Sequence, residues 1–247
     1  MKVYFKTFGC RTNIYDTELL KSYVKNYEIV NDDNIADIIV VNSCTVTNGA
    51  DSGVRNYINS MRNSGKKVIL TGCGAVSKGD ELFKSSAIFG VLGASNKSKI
   101  DEMLGKSEPF YELGDLNFID KNIVSNYENH TKAFIKIQEG CDFACSYCII
   151  PSVRGFSRSI DEDIILKEAK ILASNGYSEI VLTGTNIGSY GKGVGTSLGR
   201  LVAHLGKING IKRIRLGSIE PSQIDESFRE ILHEPWLERH LHIALQH

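Results

Sequence analysis

The chain has 247 residues, 42% of them hydrophobic, which is enough to bury a sizeable core and long enough for two domains. Lysine plus arginine equals aspartate plus glutamate, 29 each, so charge alone makes no case for a nucleic-acid binder. Any RNA contact has to come from local basic patches or from a part not present here. No apolar run reaches the roughly 18 residues of a membrane span, and the opening Met1–Lys6 lacks the long apolar core of a secretion signal. A cytoplasmic protein without membrane attachment is expected. Its six cysteines stand at metal-type spacings, which suits a reducing compartment and argues against a disulfide framework.

Val3 to Phe8 reads as a strand that ends in Gly9-Cys10-Arg11-Thr12-Asn13, and Ile14, Leu19, Leu20 and Val24 then recur at helical spacing. Ala36 to Val41 is a second buried strand, followed by Asn42-Ser43-Cys44-Thr45, and Val54 to Met61 suggests a helix. Lys67 to Leu70 is a third strand, ending in Thr71-Gly72-Cys73-Gly74, and Ala87 to Leu92 a fourth. Ser95 is placed to cap a short helix through Leu104. Strand, loop and helix in repetition predict a parallel sheet with helices on its faces, a Rossmann or flavodoxin-like domain over residues 1–104. Ligands of such sheets gather beyond the carboxyl ends of the strands, where Cys10, Cys44 and Cys73 all fall. They are spaced by about one βαβ unit of ~30 residues. The sharp reading is a cluster held by three thiolates; the bland one is three small residues that happen to follow three strands.

Residues 105–130 are polar, without clear periodicity, and read as a connection that carries at most a short strand. Ala133 to Gln138 then opens a second domain, residues 131–247. Its first loop holds Glu139-Gly140-Cys141-Asp142-Phe143-Ala144-Cys145-Ser146-Tyr147-Cys148 and runs to Arg158. A helix is expected over Asp161 to Asn175, capped by Ser159 or Asp161 and ended by Gly176. Next come a strand over Glu179 to Thr183, a helix over Leu198 to Leu205, a strand over Lys212 to Leu216, a helix over Gln223 to Leu232 and the start of a strand over Leu241 to Leu245. The series predicts a partial β/α barrel, expected to be truncated before its end.

Three thiols within one loop can converge on a single iron–sulfur cluster, and a cubane held by three cysteines keeps one iron without a protein ligand. Structural zinc takes four Cys or His ligands, commonly in CxxC pairs, and no fourth ligand lies near this loop. The CxxxCxxC spacing with an aromatic before the last cysteine resembles the radical S-adenosylmethionine (SAM) signature. Adding Lys-Thr-Phe-Gly-Cys-Arg-Thr-Asn, Asn-Ser-Cys-Thr-Val-Thr and Thr-Gly-Cys, the whole chain resembles the methylthiotransferases. Lys136–Gly140, Leu182–Gly191 and Ser218-Ile219-Glu220-Pro221 look most like the MtaB-type branch.

That resemblance implies a tRNA methylthiotransferase acting at C-2 of N6-threonylcarbamoyladenosine beside the anticodon. Isopentenyladenosine in tRNA, or an aspartate of a ribosomal protein, is the alternative acceptor. It implies two [4Fe-4S] clusters, one on Cys141, Cys145 and Cys148 that cleaves SAM reductively, one on Cys10, Cys44 and Cys73 that carries the inserted sulfur. Partners implied are the tRNA and an electron donor of flavodoxin or ferredoxin type; a monomer is expected, although the sequence does not give the oligomeric state. Family members also carry a C-terminal TRAM domain, expected to be absent from this sequence. Tyr147 is placed to pack on the SAM adenine. Thr183, Gly184 and Asn186 at the end of the second barrel strand, and Ser218 and Glu220 at the end of the third, are candidate SAM contacts. A reading of another class is a non-catalytic iron–sulfur protein that transfers electrons or binds nucleic acid.

Overall fold

The computed structural model describes residues 1–45, 48–128 and 130–245; Val46 and Thr47 of the Asn-Ser-Cys-Thr-Val-Thr motif lie outside them. The chain divides into two units, one of Met1–Asp120 with Ser146–Val153, the other of Lys121–Cys145 with Arg154–His247.

In the first unit, strands β1 (Lys2–Thr7), β2 (Glu28–Ile29), β3 (Ile38–Ser43), β4 (Lys67–Gly72), β5 (Gly90–Leu92) and β6 (Phe110–Glu112) form one sheet. Its spatial order is β2-β1-β3-β4-β5-β6. Every pairing in it is parallel. The helices are α1 (Arg11–Tyr23), α2 (Asn48–Asn63), α3 (Cys73–Ser77), α4 (Gly79–Lys84) and α5 (Ile100–Leu104). From β1 the chain first builds outward to β2, then returns to add β3 to β6 on the other side. The strand order therefore reverses between β1 and β3, and a reversal of this kind opens a crevice at the carboxyl ends of the two strands.

β3 is buried throughout, as a central parallel strand covered on both faces must be. Its side chains alternate between two cores. Ile39 and Val41 pack with Val54 and Ile58 of α2, whereas Ile38 and Val40 pack with Leu20 of α1 and Ile100, Met103 and Leu104 of α5. Each such side chain contributes about 1.5–3 kcal/mol on burial, so the register that fixes the strand ends is strongly specified.

Several expectations change. The short strand allowed for in the connection is present as β6, which pairs with β5 as the sheet's sixth strand, and the first unit runs on to Asp120. Ser95 does not cap a helix; a 3-10 turn covers Ala94–Lys99, and the Ser95 hydroxyl lies 3.4 Å from the Leu113 carbonyl. In α1 the expected Ile14 is only half-buried. The helix instead buries Thr12, Asn13, Tyr15, Asp16 and Thr17, because its first turns face a polar strand edge. Two-residue β2 was too short for the pattern to reveal.

In the second unit β7 (Ala133–Glu139) carries the sheet. The cysteine loop and α6 (Ile150–Arg154) follow in sequence, then β8 (Arg158–Ser159), α7 (Glu162–Ser174), β9 (Glu179–Gly184), α8 (Leu198–Gly206), β10 (Arg213–Arg215) and α9 (Glu226–Glu230). The sheet order is β10-β9-β7-β8, with β8 antiparallel to β7 and the others parallel. Ser159 is therefore a strand residue and not a cap. Asp161 occupies the α7 cap position without a side-chain cap bond, its carboxylate meeting Lys121 at 2.6 Å. The expected helix over Gln223 to Leu232 shrinks to α9 after a 3-10 turn at Pro221–Gln223, because Asp225 Oδ1 takes the Phe228 amide at 2.9 Å and restarts the helix there. The strand expected over Leu241 to Leu245 is reduced to a single parallel bridge between Ile219 and Ile243. Among the described residues no helix is long and apolar enough to cross a membrane.

Candidate functional site

None of the six cysteines is in a disulfide. In the first unit Thr7, Asn42 and Thr71 stand side by side across β1, β3 and β4, and Ser43 stands opposite Gly72. Cys44 and Cys73 thus leave neighbouring strands at the same level, and Cys10 follows on the other side of β3. Cys44 and Cys73 are buried, Cys10 exposed. The Cys10 loop presses on the Cys44 loop: Gly9 has φ +96°, and a Cβ there would fall 2.3 Å from Cys44 Cβ and 2.7 Å from its Sγ. Only glycine fits that approach.

Buried polar groups tie these loops. Asn13 Nδ2 donates to the Phe8 carbonyl at 2.8 Å and the Ser43 carbonyl at 3.0 Å. Its Oδ1 lies 3.9 Å from Cys10 Sγ, within the longer reach of a thiol donor. Ser43 Oγ donates to the Thr71 carbonyl at 2.6 Å and accepts the Gly74 amide at 3.0 Å. Asn42 Nδ2 reaches the Asn13 carbonyl and Thr17 Oγ1. Deeper in the unit Asp16 and Lys97, both buried, pair at 3.4 Å.

In the second unit, Gln138 at the end of β7 anchors the start of the cysteine loop. Its Nε2 donates to the Gly140 carbonyl and Ser157 Oγ, and its Oε1 accepts the Asn186 amide at 2.8 Å. Gly140 (φ +80°) passes so close to the returning chain that a Cβ would lie 1.9 Å from the Phe156 carbonyl oxygen. Its amide donates to Thr185 Oγ1, and the Cys141 amide to the Gly155 carbonyl. Asn186 Nδ2 points at Cys141 Sγ from 3.6 Å. The loop after β9 is thus fastened to the loop that carries Cys141 and Cys145, both half-buried.

Charge backs this loop. Glu139, fully enclosed, binds buried Arg154 at 2.5 Å and Lys136 at 3.3 Å, with Arg158 at 3.9 Å. Asp142, between the thiols, pairs with Lys192 at 2.5 Å and accepts the Ser157 amide at 3.0 Å. The bond to Lys192 first, and the amide second, hold its carboxyl below the usual aspartate range. None of Gln138, Glu139 and Lys192 was among the expected site residues. A buried glutamate between cations leaves no periodic signal, although two charges in the apolar strand run, Lys136 and Glu139, are visible in the sequence.

The expected cofactor contacts fall in different settings. Thr183 and Asn186 are buried and Gly184 half-buried at the carboxyl end of β9. Ser218 is exposed and bonded to His242 Nδ1 at 2.6 Å. The Glu220 amide is taken by Gln223 Oε1 at the 3-10 turn. Tyr147 is 76% exposed. Cys148 falls with Ser146–Val153 in the first unit. Among the described residues no group of three or more His, Cys, Asp or Glu is set to hold a metal ion. The donor set nevertheless fits an iron–sulfur group, since soft thiolates select such clusters and a donor aimed at a sulfur, as Asn186 is, tunes them.

Residues 2–93 match the family described as uncharacterized protein family UPF0004, and residues 135–247 match the Radical SAM superfamily. A Helicobacter pylori (strain ATCC 700392 / 26695) protein provisionally named a methylthiotransferase is 52% identical over all of this chain and 59% of its own length. The chain is thus similar along its whole length to methylthiotransferases, and it carries a Radical SAM superfamily segment. The threonylcarbamoyladenosine tRNA methylthiotransferase MtaB of Aquifex aeolicus (strain VF5) is 38% identical over all of the chain and 63% of that protein. The tRNA-2-methylthio-N(6)-dimethylallyladenosine synthase of Fervidobacterium nodosum is 31% identical over all of the chain and 59% of that protein. The chain spans about three-fifths of the length of these curated relatives. In fold it is similar to the radical SAM methyltransferase TsrM of Kitasatospora setae, at a TM-score of 0.65 and 14% identity over 98% of this chain and 60% of that one.

Proposed function

We propose that this chain acts as a tRNA methylthiotransferase that adds a methylthio group to C-2 of N6-threonylcarbamoyladenosine. The observation that carries the reading is similarity along the whole chain to MtaB proteins, together with thiols at the ends of both sheets. Cys141, Cys145 and Cys148 would hold one [4Fe-4S] cluster, Cys10, Cys44 and Cys73 a second. Once bound, the clusters and SAM supply the radical that opens an unreactive C–H bond, and the sulfur and methyl group that replace its hydrogen. The protein's share is to seat and shield. Asn186 orients Cys141, Gln138 fixes the loop backbone, and Gly184 lets the β9 end pass close to the Gln138 carbonyl. Thr183, Ser218 and Glu220 supply polar contacts to SAM, and the Tyr147 ring covers its adenine. The electron comes from a donor of flavodoxin or ferredoxin type.

A second reading, dimethylallyladenosine as acceptor, is favoured by relatives at 31–35% identity named for that nucleoside. Nucleoside mass spectrometry of tRNA from cells lacking the gene separates them. Loss of 2-methylthio-N6-threonylcarbamoyladenosine alone is expected. Loss of the dimethylallyl nucleoside's methylthio group instead would move the acceptor, and an unchanged profile of both would remove the tRNA reading.

A further inference from the structure

The thiols of the first unit present a physical problem that those of the second do not. Cys10, Cys44 and Cys73 come from three strands and stand one to three residues past the last paired positions Thr7, Ser43 and Gly72. Beyond those positions the strand ladder no longer joins the three segments. Two side chains do so, both fully buried: Asn13 and Ser43. Asn13 crosses from the Cys10 loop to the Cys44 loop, its amide taking the Phe8 carbonyl two residues before Cys10 and the Ser43 carbonyl one residue before Cys44. Ser43 crosses from the Cys44 loop to the Cys73 loop, its hydroxyl bound to Thr71 two residues before Cys73 and to Gly74 one residue after it. Together the two side chains bracket all three thiols with four hydrogen bonds, each between 2.6 and 3.0 Å.

The geometry points to Asn13 and Ser43 as positioning residues that hold together the three segments carrying these thiols, an inference that rests on the proposed reading of these thiols as cluster ligands. Neither side chain is itself a ligand in this proposal. Satisfying buried backbone groups would alone account for one such bond. It does not account for two residues whose bonds fall one or two positions from each of three cysteines drawn from distant parts of the chain. Such outer groups act on metal affinity through the ligands they hold, and their loss commonly lowers it about 10–100-fold.

The test uses the full chain carrying Cys141→Ala, Cys145→Ala and Cys148→Ala, reduced and metal-free, titrated with cadmium while the thiolate-to-cadmium charge-transfer absorption is followed. Asn13→Ala and Ser43→Ala are each expected to raise the cadmium Kd about 10–100-fold, with circular dichroism of the metal-free protein unchanged. Ser43→Thr, which restores the hydroxyl, is expected to recover the affinity. Variants that bind cadmium with the parent's affinity and spectrum would overturn the positioning role, as would failure of both alanine variants to fold, since the pair would then be a stability element only. A parent whose cadmium binding survives Cys10→Ala, Cys44→Ala and Cys73→Ala overturns the cluster reading itself, and the positioning role with it.

Discussion

The two thiol sets are built in opposite ways. Cys10, Cys44 and Cys73 are distant in sequence and follow three neighbouring strands at a reversal of strand order, the segments beside them held by neutral amides and hydroxyls in a buried network. Cys141 and Cys145 are close in sequence and are held by a loop whose supports are charged: Glu139 with Arg154 and Lys136 beneath it, and Asp142 with Lys192 at its rim. A site assembled by topology inherits its geometry from strand register, whereas a site made in one loop needs the loop itself to be stiffened. The first should therefore fail when backbone packing is disturbed, the second when charges are removed.

The largest effect is expected from Glu139→Ala. Removing one partner of a buried ion pair leaves uncompensated charge and costs about 3–5 kcal/mol, so urea unfolding of the second unit should shift to much lower denaturant. A midpoint shift worth under about 1 kcal/mol would mean that the buried cations find other partners, and the contrast between charged and neutral supports would weaken.

Next comes Gly9→Ala, which places a methyl group on Cys44 at a positive φ and costs about 1–3 kcal/mol. After anaerobic reconstitution its iron content should fall from about eight to about four per chain, as one [4Fe-4S] set is lost. Full retention of iron would show that the first set does not depend on the close approach of its loops.

The smallest effect belongs to Asp142→Asn. Lys192 is largely exposed, and pairs of that kind contribute about 0–1 kcal/mol. Global unfolding should barely move, while proteolysis within residues 141–158 should accelerate because the Ser157 amide and Lys192 lose their ionised acceptor. Unchanged cleavage would assign the stiffness of the loop to Gln138 and Gly140 alone.

Much of this architecture was legible in the sequence. Apolar runs such as Ile38–Val41 and Val68–Leu70 announced central strands, and the cysteines that follow them could be placed at strand ends without coordinates. Three-residue β6 was not legible as part of the sheet, since Phe110–Glu112 is too short and too polar to carry a period. Nor was the polar face of α1, where apolar spacing favoured Ile14 over Asn13 and Asp16.

What the sequence determined by itself was the order of the longer strands and helices and the position of every thiol along it, because burial of alternating or helical apolar side chains is decided by neighbours within a few residues. What only the tertiary structure decided was which polar side chains hold those thiols: Asn13 on Ser43, Ser43 on Thr71 and Gly74, Asn186 on Cys141 and Gln138. Each of those bonds joins segments 28 to 48 residues apart. Partners at that separation leave no local pattern, and they meet only once the sheets have folded.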